Sequence, residues 1–177
     1  MTIAITSTVP PAESRLSEWY FGAHLLDSFA AHVPIGLNCG IREMAEAVLG
    51  RPEFWVQGLL FVRDGVVRFL GLQTIGDLRE ANPVGDRIDF FPILSAHSTE
   101  IIVGEDDKHL DFRISVLEIK MPDGGRQLVI TTAVRCHNRL GHAYLAVIRP
   151  FHRLIIHSRL RRAVKSAFAV ASSPRWT

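Results

Sequence analysis

The chain has 177 residues, 20 Lys and Arg against 18 Asp and Glu, and 47% hydrophobic residues. That length suits one domain that can bury its own core without disulfide or metal staples, and the near-neutral total excludes a uniformly basic or acidic binder. The two cysteines, Cys39 and Cys136, share no CxxC spacing, which excludes a disulfide framework and fits a reducing, cytoplasmic compartment.

In chain order, residues 1–17 are rich in Thr, Ser and Pro and are expected to form a flexible arm; they lack the basic start and apolar run of a signal peptide. Trp19 to Val33 predicts a strand entered from a turn. Asn38 then opens a short helix with Ile41, Met44, Ala45 and Val48 on one face and Gly50 just past its end. Pro52 opens a second, whose stripe is Trp55, Leu59, Val62, Val66 and Phe69. A loop over 71–86 leads to four strand-like segments, 88–95, 99–104, 110–120 and 127–137, the last two joined by a hairpin turn at Pro122, Asp123, Gly124 and Gly125. On the third segment Leu110, Phe112, Ile114 and Val116 share one face, and Asp111, Arg113 and Ser115 the other.

From residue 124 onward there is no acid but ten Lys and Arg, leaving the other 10 bases and all 18 acids to the first 123 residues. This basic end carries Tyr144, Val147, Ile148, Phe151, Ile155, Leu160, Ala163, Val164 and Ala167 at spacings of three and four, which predicts one long amphipathic helix. Asn138 is its candidate N-cap, and Pro150 predicts a kink. Arg149, His152 and Arg153 interrupt the most apolar stretch, 143–156, so it is not a membrane span, although a basic helix can lie on an anionic membrane.

The block EIIVGEDDKHLDFRISVLE at 100–118, with VRCHNRLGHAYLAVIRPFHRLIIHSRLRRA at 134–163, resembles the bacterial domain of unknown function 2867. That resemblance links the chain to the START and birch-pollen-allergen-like helix-grip superfamily, also called SRPBCC or polyketide-cyclase-like. It implies an α+β helix-grip fold: a curved antiparallel sheet, two short helices after the first strand, and a long C-terminal helix over a ligand cavity. The domain would run over 18–170, with 171–177 as a tail. No reaction is implied, since one fold hosts many functions. The resemblance rests on Asp107, His109, Asp111, Arg113, Arg135, Asn138, Gly141, Tyr144, Pro150 and His152.

The candidate ligand-binding residues are Asp111, Arg113, Arg135, Asn138, Tyr144 and Phe151, with Phe112, Ile114, Val116, Leu128, Val129 and Val147 as candidate lining. Arg113 and Arg135 could together hold an anionic head group, or Asp111 could neutralise Arg113. Counting back from the turn pairs position 113 with about 134, so the facing of Arg135 depends on a one-residue shift. Glu105, Asp106, Asp107, His109 and Asp111 lack the Gly and Glu positions of a calcium loop, so neither metal nor cofactor is expected. Cys136 and His137 are adjacent on a strand and point apart, and no nucleophile elbow, phosphate loop or HExxH occurs.

The expectation is a small-molecule module for a hydrophobic or amphipathic, lipid-like ligand. A cyclase-like or hydrolase-like enzyme with Asp111, Arg113, His109 or Tyr144 as its chemical groups is the first alternative, and a peripheral membrane or partner-binding protein the second. Nucleic acid is not expected, because the helix has no recognised motif and its aromatics sit on the apolar side. The oligomeric state is not readable from the sequence.

Overall fold

The computed structural model describes residues 3–33, 39–50, 86–89 and 91–171, with side chains to residue 165. Among them are seven strands: β1 (Ile5–Ser7), β2 (Leu25–Val33), β3 (Arg87–Ile88), β4 (Phe91–Ala96), β5 (Glu100–Asp106), β6 (Leu110–Lys120) and β7 (Arg126–Cys136). Two helices accompany them, α1 (Ile41–Leu49) and α2 (Arg139–Ala171). The strands form one curved antiparallel sheet in the order β1-β2-β7-β6-β5-β4-β3, an α+β architecture of helix-grip type. The second short helix expected from Pro52 lies outside the described residues.

The β6–β7 hairpin turns where the Gly-rich signal put it. Gly124 takes φ 81°, the Met121 N–H donates to the Gly125 carbonyl at 2.9 Å, and the Gly125 N–H donates to Asp123 Oδ1 at 2.9 Å. The resulting register pairs Arg113 with Ala133 and Asp111 with Arg135. Arg113 and Arg135 therefore share a face, one residue off the count from the turn.

The sheet is covered on both sides. On its inner face Phe29, Ala31, Val103, Ile114, Val116, Leu128 and Ile130 form one core with Met44, Ala45 and Val48 of α1 and Ile156, Leu160, Ala163 and Val164 of α2. Helix α2 crosses β1, β2 and β7, while α1 covers β3, β5 and β6. The alternation along β6 is as its sequence predicts, with Ile114 and Val116 inside.

The outer face is covered by the N-terminal segment. β1 pairs with β2, and Leu16, Trp19 and Tyr20 pack on Ile102 and Ala133. Ser14 Oγ donates to Glu100 Oε1 at 2.5 Å, Ser115 Oγ donates to the same atom at 2.5 Å, and the Arg15 N–H reaches Oε2 at 2.9 Å. Much of the stretch expected to be an arm is thus tied to the sheet. The strand expected from Trp19 begins only at Leu25, because Ser17–Trp19 form a 3-10 turn and Gly22, at φ 77°, redirects the chain.

In α1 the buried residues are Ile41, Met44, Ala45, Val48 and Leu49, the expected face. Its N-cap is Gly40, whose N–H donates to Glu43 Oε2 at 3.2 Å. Asn138 caps α2 as its sequence predicts, Oδ1 accepting the Gly141 N–H at 3.1 Å. Pro150 sits inside the continuous helix.

Candidate functional site

Leu160, Ala163 and Val164 of α2 face the core as the sequence suggests, but nearer its start the sheet-facing stripe is rotated from the expected one. Gly141, Leu145, Ile156 and Leu160 are buried, while Val147 is 46% and Phe151 40% exposed. The sequence has apolar residues on both flanks of this helix, so counting them alone does not choose the inward side. Gly141 decides it. A Cβ there would lie 2.2 Å from the His109 carbonyl oxygen, so only Gly lets the first turn of α2 sit against the sheet end. From Gly141 the helical repeat carries Leu145, His152 and Ile156 inward, and leaves Leu140, Val147, Phe151 and Leu154 exposed.

This rotation puts His152 over the inner face, where Asp27 of β2 and Thr132 of β7 are register partners. His152 Nε2 shares a hydrogen bond with Thr132 Oγ1 at 3.2 Å. Its Nδ1 lies 3.7 Å from Asp27 Oδ2, beyond hydrogen-bond reach and within ion-pair range. The side chains of Asp27 and His152 are only 10% and 14% exposed, and neither Asp27 Oδ2 nor His152 Nδ1 has a hydrogen-bond partner among the described residues. Arg153, more than half exposed, closes the solvent side with Nη2 3.3 Å from Asp27 Oδ1. The His152 imidazole foremost, with Arg153 assisting, holds the Asp27 carboxyl below the usual carboxylate range although burial acts the other way.

Phe29, Ile114 and Ile130 surround this polar group on the same face. An acceptor and an imidazole nitrogen set in an apolar wall, with a hydroxyl beside them, can orient a ligand's hydroxyl or amide group.

The residues singled out from sequence are distributed over four other places. Asp111, Arg113 and Arg135 lie on the outer face. Arg113 bonds Asp106 at 2.6 Å, not Asp111, and donates to the Phe112 carbonyl at 2.9 Å. Arg135 Nη2 donates to the carbonyls of Glu18 and Phe21 at 3.1 and 3.0 Å. Both guanidinium groups lie over the Trp19 ring, 4.1 and 4.3 Å from its centre, and Asp111 pairs with His137 at 2.9 Å. These contacts fasten the N-terminal segment.

Asn138 is engaged as the helix cap and through Nδ2 with the Lys108 carbonyl at 3.2 Å. Tyr144 packs on Leu25, Leu110, Val134 and Leu145. Phe151 points away from the sheet, for the reason given. The sequence reading missed Asp27 and Thr132. Its available signal was a lone carboxylate at an inward position of the apolar run Leu25–Val33.

No helix among the described residues is long and apolar enough to cross a membrane. Residues 19–159 match the model of a family described as "Protein of unknown function (DUF2867)". No curated protein and no solved structure matches the chain.

Proposed function

The chain belongs to the DUF2867 family of proteins of unknown function, and from that premise we propose that it binds a small amphipathic molecule between the inner sheet face and α2, as helix-grip folds of the START and SRPBCC type do. The ligand's apolar part packs on Phe29, Ile114 and Ile130, and a hydroxyl or amide group engages Asp27, Thr132 and His152. One observation carries this reading: Asp27 Oδ2 and His152 Nδ1 are buried 3.7 Å apart and neither has a hydrogen-bond partner among the described residues. Buried polar atoms without partners are costly, and a ligand that supplies both bonds removes that cost.

1-Naphthol, an apolar fluorophore whose hydroxyl both donates and accepts, tests the reading. Saturable binding of one molecule per chain should weaken about tenfold or more in Asp27→Asn and His152→Ala, the scale of a lost charged hydrogen bond. The exposed Leu154→Ser should bind as wild type does. Equal affinity in all four proteins, or no saturable binding, would refute the proposal.

An enzymatic reading has one observation in its favour, the order carboxylate, imidazole, hydroxyl along Asp27, His152 and Thr132. It requires that the chain hydrolyse an activated ester and that Thr132→Val abolish that hydrolysis.

A further inference from the structure

At the end of the sheet, three side chains that the sequence keeps far apart meet: His24 just before β2, Cys136 at the last position of β7, and His142 in the first turn of α2. Their ligand atoms, two imidazole nitrogens and one sulfur, all lie within 4.8 Å of one another. We propose that His24, Cys136 and His142 bind a divalent transition-metal cation of the zinc class, with the fourth coordination position open to water or a small ligand.

The hydrogen bond on the His142 ring already selects a tautomer suited to ligation. His142 Nδ1 lies 2.9 Å from the Asn138 carbonyl oxygen. A carbonyl only accepts, so Nδ1 carries the proton and Nε2 keeps its lone pair, the arrangement found where a backbone carbonyl orients a metal-binding histidine. His24 Nδ1 accepts the Cys136 N–H at 2.9 Å, so its lone pair faces Cys136 and, in the neutral ring, its proton is on Nε2. A cation at the thiolate takes that lone pair in exchange for the amide. The rings stand edge to face with centres 4.6 Å apart.

The backbone brings the three together. The His24 N–H is tied to the Val134 carbonyl at 2.8 Å, and the close seat of Gly141 brings the first turn of α2 to Cys136, with a Cβ at 141 only 3.4 Å from the Cys136 Cβ. Tetrahedral zinc with sulfur at about 2.3 Å and nitrogen at about 2.0–2.1 Å needs ligand separations of about 3.3–3.6 Å. The remaining closure falls to the exposed side chains of His24 and His142, His24 giving up its bond from the Cys136 N–H as it turns. One thiolate and two neutral imidazoles suit a borderline-soft cation over calcium or magnesium. Three protein ligands with an open fourth position is the pattern of reactive zinc sites, whereas structural sites close all four.

The test is a Co2+ titration of chelator-treated, reduced full-length chain, read by thiolate-to-cobalt charge-transfer absorption and by the intense visible bands of tetrahedral cobalt. One equivalent should saturate both, and Zn2+ should bleach them. Cys136→Ser should lose the charge-transfer band, and His24→Ala and His142→Ala should each weaken binding tenfold or more. His137→Ala, adjacent in sequence but paired with Asp111, should bind as wild type does. Circular dichroism reports folding; if Cys136→Ser misfolds, the exposed His142→Ala variant decides. No charge-transfer band at millimolar Co2+, a band that persists in Cys136→Ser, or equal damage from His137→Ala and His142→Ala would overturn the assignment.

Discussion

Asp27 on β2 and His152 on α2 face each other across the sheet and helix interface, Oδ2 to Nδ1 at 3.7 Å, with both atoms buried. The pair joins the second strand to the C-terminal helix directly above the apolar core. Its polarity is what separates this interior from a purely packed one.

The first prediction concerns pH. Asp27 has a carboxyl held below its ordinary value of 3.8, first by His152. A depressed folded-state value means stability that is present above the unfolded value and is lost as pH falls through the folded one. Asp27→Asn should therefore be less stable than wild type at neutral pH, and the gap should close on acidification below 3.8. Urea unfolding at several pH values measures it; a gap that is constant with pH would contradict the ionised state assigned to Asp27.

Glu105 is expected to behave in the opposite sense. Burial pushes its carboxyl above the ordinary 4.5, against the pull of Arg87. The folded chain then holds the proton more tightly than the unfolded one, so stability is lost as pH rises from 4.5 through the folded value. Glu105→Gln should gain stability over wild type above that window and match it below, in the same urea experiment.

The N-terminal segment should depend on Glu100. Its two carboxylate oxygens take hydrogen bonds from Ser14, Ser115 and the Arg15 N–H, and the residue is 2% exposed. Glu100→Ala leaves two buried hydroxyls without their acceptor and should cost at least about 1.5–3 kcal/mol, the scale of a hydrogen bond to a charged group. Limited proteolysis should then cut before Trp19 faster than in wild type, and unchanged cleavage would show that the segment is held by packing alone.

Two leucines of α2 should differ sharply. Leu160 is 0% exposed in the main core, so Leu160→Ala should cost about 2–5 kcal/mol. Leu154 is 60% exposed, and Leu154→Ala should change stability by less than about 0.5 kcal/mol. Thermal unfolding of both proteins checks which side of the helix faces the core; similar losses would place Leu154 inside.

Much of this fold is legible in local chemistry. The Gly124 turn, the alternation of β6, the apolar face of α1 and the Asn138 cap each follow from a few neighbouring residues. The interior polar site does not. Asp27, Thr132 and His152 come from three elements, and a strand-to-helix meeting has no period in the sequence. The facing of α2 before Leu160 was equally hidden, since Val147 and Phe151 are as apolar as Leu145 and Ile156. Its deciding residue, Gly141, acts through a contact with His109 that only the folded chain reveals. Arg113 and Arg135 were legible as neighbours, but their partner Trp19 opens a stretch that reads as a strand and folds instead as the end of a 3-10 turn.

The most direct test of the ligand site is the ring-nitrogen NMR spectrum of 15N-histidine-labelled chain titrated with 1-decanol and, separately, with its methyl ether, which lacks the hydroxyl donor. The account predicts that decanol shifts the His152 resonances saturably while those of the exposed His97 stay in place, and that the ether does so more weakly. Decanol leaving His152 unmoved, or shifting His97 and His152 alike, would contradict a ligand seated between the sheet and the last helix.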